Sequence, residues 1–161
     1  MIKTVAIDSS TKISGMSLFI NGEYEEHTLI DHHKVKDVDE RINLMIYDVV
    51  KQLQKWKPEI VWIEHPQGHG SNVDMVNKLS EVLGAVRCWC VFKNAEYNEI
   101  NPSEWRKYLP NYSQGKKSRK ELKQDAIDYV KKYLGMDCTT DEADSLCIGI
   151  AVVNMYKQFE E

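Results

Sequence analysis

The stretch Ile2-Lys3-Thr4-Val5-Ala6-Ile7-Asp8 decides how this chain is read. It is apolar and rich in β-branched residues, the pattern of a central strand buried in part or whole, and it ends in a carboxylate. A charge in that position needs a partner. The small polar residues Ser9 to Gly15 follow, then the apolar run Met16 to Ile20 and the turn signal Asn21-Gly22, so the start of the chain predicts a β-hairpin with Asp8 near its first turn. The arrangement recurs at Pro58-Glu59, which opens the run Ile60 to Ile63, ends in Glu64 and is stopped by Pro66. Two further acids, Asp141 and Asp144, stand at i and i+3 in Thr139-Thr140-Asp141-Glu142-Ala143-Asp144, ahead of the apolar segment Ser145 to Met155. With Thr140 as N-cap, they share one face of a first helical turn.

Taken singly, an aspartate at a strand end commonly caps a turn, and acids in a first helical turn commonly serve the helix dipole. Together the four carry a further requirement. Like charges brought close raise one another's pKa and destabilise the fold unless a cation binds between them. Oxygen-only ligands favour hard divalent ions such as magnesium or manganese.

Around these acids the chain reads as a single α/β unit, residues 1–161, without repeats or low-complexity linkers. A third strand is expected over Glu23 to Ile30, and Ile42, Ile46, Val49, Val50 and Leu53 recur at helical spacing within Asp37 to Lys55. A second helix is expected over Asn72 to Phe92, a strand over Glu96 to Ile100, a helix start at Asn101-Pro102, and two last helices over Ser118 to Leu134 and Thr140 to Phe159. That order suits one mixed five-stranded sheet with helices on both faces. Trp62, Trp89 and Trp105 read as core, with Trp56 open. Cys88, Cys90, Cys138 and Cys147 match no disulfide or zinc spacing and read as free thiols, mostly packing residues.

The order Ala6-Ile7-Asp8-Ser9-Ser10 with Gly15, then Ile63-Glu64, Leu83-Gly84, a lysine-rich loop and Asp141-Glu142-Ala143-Asp144-Ser145-Leu146 resembles the RuvC-type Holliday junction resolvases, from Ile2 to about Tyr156. Its divergence from bacterial sequences resembles that of a phage-encoded member. The resemblance implies a ribonuclease H-like fold, a homodimer and magnesium-dependent cutting of branched DNA, four-way junctions above all. It implies that Glu64, Asp141 and Asp144 complete a ligand set with Asp8, that Lys120 or Lys117 stabilises the charge developing on the scissile phosphate, and that Arg106 or Lys107 fills another basic position. Bacterial members carry an aromatic wedge a few residues after the matching glutamate, where this chain has His65-Pro66-Gln67-Gly68-His69-Gly70. That glycine-rich loop reads first as serving contact or flexibility, with a metal-ligand or acid–base part for His65 and His69 left as the open alternative.

Phosphodiester hydrolysis by two metals about 3.5–4 Å apart activates a water on one side and stabilises the leaving oxygen on the other. Asp8, on the central strand, is the expected bridge. The net charge of −4 runs against DNA binding, but its distribution does not. Lys116, Lys117, Arg119, Lys120 and Lys123 face the single acid Glu121 in one segment, with Arg106-Lys107 upstream, so a basic rim is expected beside the acidic site. The 42% hydrophobic content argues against disorder, no apolar stretch approaches membrane-spanning length, and the N-terminus lacks a signal-peptide pattern, so the protein is expected in the cytoplasm, that of a bacterial host if phage-encoded. A non-catalytic branched-DNA binder of the same fold and a ribonuclease H acting on RNA–DNA hybrids remain as alternatives. An actin-like sugar kinase, suggested by Ile7 to Thr11 with Gly15, would need a second domain that this length does not supply.

Overall fold

A computed structural model describes residues 1–66, 73–109 and 117–160. The strands are β1 (Lys3–Asp8), β2 (Ile13–Ile20), β3 (Glu23–Asp31), β4 (Ile60–Glu64) and β5 (Glu96–Ile100); the helices are α1 (Val38–Trp56), α2 (Val73–Lys93), α3 (Pro102–Trp105), which runs into a 3-10 turn (Arg106–Tyr108), α4 (Arg119–Leu134) and α5 (Thr140–Glu160). The sheet order is β3-β2-β1-β4-β5, antiparallel on the β2 side of β1 and parallel on the β4 side. This is the mixed five-stranded sheet that the strand patterns predict; the four long helices start and stop within one residue of the expected positions, and β2 starts three residues before the apolar run Met16 to Ile20.

Local chemistry explains those boundaries. Asn21 and Gly22 both adopt positive φ, 51° and 81°, which a two-residue hairpin of this kind requires. Asp37 caps α1 by accepting from the Glu40 N–H at 2.8 Å. Ser118 and Glu121 form a reciprocal box at the start of α4. At α5 the cap is Thr139, one residue before the expected Thr140: its Oγ1 accepts from the Glu142 N–H at 3.3 Å while Glu142 Oε2 accepts from the Thr139 N–H at 2.7 Å. Glutamate stands three residues after Thr139 and only two after Thr140, so only Thr139 can close the box.

The sheet separates two cores. Val5, Ile7, Met16, Leu18, Val61 and Ile63 pack against α1 and α2. Ala6, Phe19, Trp62 and Ile100 pack against α3, α4 and α5. All four tryptophans are buried, and Trp56 resolves as core with its Nε1–H donating to Glu26 at 2.6 Å. The cysteines are free; Cys90 and Cys147 are buried and Cys138 partly so, while Cys88 is exposed on α2 and is not a packing residue. Among the described residues no helix is long and apolar enough to cross a membrane.

The seat of α5 on β2 depends on small residues. Phe19 lies against Gly149, where an added Cβ would meet the ring at 2.1 Å. Gly149→Ala is therefore expected to destabilise the fold by about 1–3 kcal/mol through overpacking, despite the roughly 1 kcal/mol that alanine gains in a helix. Urea unfolding monitored by circular dichroism measures it, and an unchanged or raised midpoint would contradict this packing.

Candidate active site

Strand alternation brings the first two acids together. Ala6 and Trp62 face α5 while Ile7 and Ile63 face the other core, so Asp8 and Glu64 project to the α5 side. β1 and β4 are parallel with Ile7 opposite Ile63, which leaves Asp8 and Glu64 side by side at the carboxyl ends of adjacent strands.

The other two acids arrive with the first turn of α5. Gly15 is the β2 partner of Asp8, and a Cβ on it would lie 2.8 Å from both the Asp141 carbonyl oxygen and Ser145 Oγ. Only glycine allows this approach. Ser17, on the same face of β2, donates its hydroxyl to the Ser145 carbonyl at 2.7 Å. Asp141 and Asp144 then face a pocket of about 430 Å³ that Asp8 and Glu64 also line. Glu142, between them in sequence, turns away to its cap and to His27.

Enclosure and mutual repulsion show in the acidities. Burial holds Asp8 well above the usual carboxylate range, and the Glu64, Asp144 and Asp141 charges push it further, against a smaller pull from Lys123. Glu64 is raised by burial; its hydrogen bond from Trp105 opposes the shift, the Asp144 charge adds to it, and Arg106 lowers it. Asp144 is raised by burial against Arg106 and Lys123. Among the described residues no group of three His, Cys, Asp or Glu side chains already holds the geometry of a metal site. The donor chemistry fits a hard divalent ion all the same: four carboxylates share one polar pocket and repel one another there.

The basic residues sort by position. Arg106, Arg119 and Lys123 line the pocket, joined by Lys12, which the sequence reading passed over although it stands in the turn after Asp8. Lys120 and Lys107 are exposed and are not among the lining residues, and Lys117 pairs with Asp125. Helical spacing accounts for this, since positions 119 and 123 share one face of α4 and position 120 is turned about 100° from 119. Lys116 and His69 lie outside the described residues. His65 is engaged with Glu99 at 2.5 Å and does not line the pocket. Trp105, read as core, also donates its Nε1–H to Glu64 at 2.7 Å, a contact across 41 residues that no local pattern signals.

No protein-family model matches the chain. The crossover junction endodeoxyribonuclease RuvC of Fusobacterium nucleatum is 25% identical over 161 residues, covering 95% of this chain and 80% of its own. Thermus thermophilus RuvC, solved in complex with a Holliday junction substrate, superposes with a TM-score of 0.76 at 16% identity over 98% of this chain and 96% of its own. The chain is similar to RuvC over nearly its whole length. A fowlpox virus resolvase, solved with substrate Holliday junction DNA, matches at a TM-score of 0.65 and 17% identity over 96% of this chain and 99% of its own. The fold is thus the ribonuclease H-like one that the resemblance implied.

The raised pKa of Asp8 bears on stability. A carboxyl whose pKa is higher in the folded than in the unfolded chain favours folding below its ordinary range, and this contribution is lost as pH rises through the folded value. Without divalent ions, ionising Asp8 therefore opposes folding. Asp8→Asn is expected to raise Tm in EDTA, by about 2–4 °C for each kcal/mol regained in a chain of this size, and to flatten the pH dependence of Tm above the ordinary carboxylate range. Magnesium should raise the wild-type Tm and move the variant less. Scanning calorimetry checks both, and a variant less stable in EDTA would make Asp8 a structural group.

Proposed function

We propose that this chain is a metal-dependent endodeoxyribonuclease that cuts four-way DNA junctions by phosphodiester hydrolysis, with residues 1–161 acting as one nuclease domain. The observation that supports it most is the single pocket lined by Asp8, Glu64, Asp141 and Asp144 and edged by Arg106, Arg119 and Lys123, on a RuvC-like fold. An acidic centre with a basic edge suits a phosphate whose charge must be balanced at the reacting bond and along the strand.

Asp8, the group that feels all three other acids, would hold divalent ions, magnesium or manganese, together with Glu64, Asp141 and Asp144. A pair of such ions, when bound, supplies an activated water and stabilises the leaving oxygen of an in-line displacement. The sheet ends and the first turn of α5 hold the carboxylates in mutual register. Arg119 and Lys123 balance the charge that builds on the scissile phosphate. Lys123 takes the part that the sequence reading gave to Lys120 or Lys117, because it lines the pocket and they do not. Lys107, Lys116, Lys117 and Lys120 serve the flanking DNA backbone with Arg106, and this contribution weakens as salt rises.

With a labelled four-way junction, a three-way junction, a linear duplex and an RNA–DNA hybrid as substrates, the wild type with magnesium is expected to nick the four-way junction symmetrically. Asp8→Asn should abolish cutting and retain junction binding. Lys123→Ala should slow cleavage by about 10²–10³, the scale for losing a transition-state charge partner, with a much smaller effect from Lys120→Ala. Cutting of the hybrid alone would assign a ribonuclease H, and binding without cutting a non-catalytic junction protein.

A homodimer would deliver two such pockets to opposite strands. Support comes from α2, whose Val91 and Phe92 are 75% and 84% exposed on a helix already packed on its other face. Sedimentation equilibrium at micromolar concentration is expected to give twice the 18.7 kDa chain mass. A monomer would remove this part of the proposal.

A further inference from the structure

Glu64 is held by a side chain that charge alone would not single out. Trp105 is 1% exposed, and its Nε1–H donates to Glu64 Oε2 at 2.7 Å. Trp56 also donates to a carboxylate, Glu26, which does not line the pocket, and the Trp89 N–H has no partner among the described residues, so burial does not by itself bring an indole N–H onto a carboxylate. On its other side the Trp105 ring carries the Arg106 guanidinium, 4.8 Å from the ring centroid, and Arg106 lines the acidic pocket.

The backbone that brings Trp105 there is fixed at each step. The His65 N–H, one residue past Glu64, donates to the Ile100 carbonyl at 2.9 Å and ties the end of β4 to the end of β5. The next residue, Asn101, starts α3, with Glu104 Oε2 accepting from its backbone N–H at 2.9 Å and from its side-chain amide at 3.0 Å. Pro102 restricts the first turn. One turn later the chain returns to Glu64 through Trp105.

We propose that Trp105 is a positioning residue acting at two points: its indole N–H fixes one oxygen of Glu64 so that the other serves the pocket as a cation donor, and its ring seats Arg106 at the pocket wall. The terminal torsion of a glutamate is broad, so an unrestrained carboxylate samples many orientations. One hydrogen bond to the charged group removes most of that freedom. Groups that orient a metal ligand in this way typically account for about 10–100-fold in metal affinity.

This inference rests on the metal-dependent reading above and is tested apart from it. Trp105→Phe keeps a ring for packing and for Arg106 but removes the N–H. Calorimetric titration of the full chain with Mn²⁺, without DNA, is expected to show roughly tenfold weaker binding in the variant. The metal concentration for half-maximal junction cutting should rise by a similar factor, while the rate at saturating metal and junction affinity in EDTA stay close to wild type. Added to Glu64→Gln, Trp105→Phe should weaken metal binding no further. If the Phe variant does not fold, the wild-type indole N–H resonance of Trp105 carries the test: it is expected to shift on Mg²⁺ titration and to stay still in Glu64→Gln. Unchanged Mn²⁺ affinity in folded Trp105→Phe, or an indole resonance indifferent to Mg²⁺, overturns the proposal. A wild type that neither binds the ion nor cuts overturns the cleavage reading and this one with it, whereas an active wild type matched by the variant overturns only the role of Trp105.

Discussion

The closeness of α5 to β2 is the constraint on which the pocket depends. Gly15 admits the backbone of Asp141 and the side chain of Ser145 at a distance no Cβ would tolerate, and Gly149 does the same for Phe19 further along the helix. Between them the Ser17 hydroxyl fastens the helix to the strand. A helix held that close places two carboxylates over two others that strand alternation has already set side by side. The resulting repulsion is a cost, met by buried apolar contacts on both sides of the sheet and by pairing of the central strand along both edges. Stability therefore resides in the framework and is locally surrendered at the pocket, the distribution expected where charge must be ready for a ligand.

The electrostatic layout reconciles an acidic protein with the nucleic-acid ligand proposed for it. A net charge of −4 describes the whole chain, yet the acids of the pocket are concentrated where a cation would sit, and Arg106, Arg119, Lys123 and Lys12 edge them. A phosphate approaching the pocket meets the edge first. Partial neutralisation of the acids by Arg106 and Lys123 also keeps their pKa values from rising as far as burial alone would drive them.

Much of this was legible in the chain because strands and long amphipathic helices leave periodic marks. β5 was expected at the residues it occupies, α1, α2 and α4 were displaced by one residue, and the acids were found because each ends or begins an apolar run. What the periodicity could not carry was contact between distant residues. Thr139 and Thr140 are both capping residues by type, and only the distance to Glu142 separates them. Lys120 and Lys123 are equivalent in a charge count, and the rotation of α4 decides which lines the pocket. Trp105 was assigned to the core, correctly as to its ring, but the partner of its N–H is set by the path of β4, β5 and α3 together. Cys88 was taken for packing because cysteines usually are, while α2 turns it outward.

The alternation that sends Asp8 and Glu64 toward α5 is the same alternation that sends Ile7 and Ile63 into the opposite core. Chemistry and packing thus share one reading frame along β1 and β4. Inserting or deleting a single residue within either strand would invert every side chain beyond it, burying a carboxylate among apolar groups and taking from that core the residues that hold α1 and α2. Replacement of an acid leaves that frame intact. Mutational tolerance in the two strands is accordingly split: changes of length lose the fold and the pocket at once, while substitutions can strip the pocket of its charge and leave the folded framework and its basic edge behind.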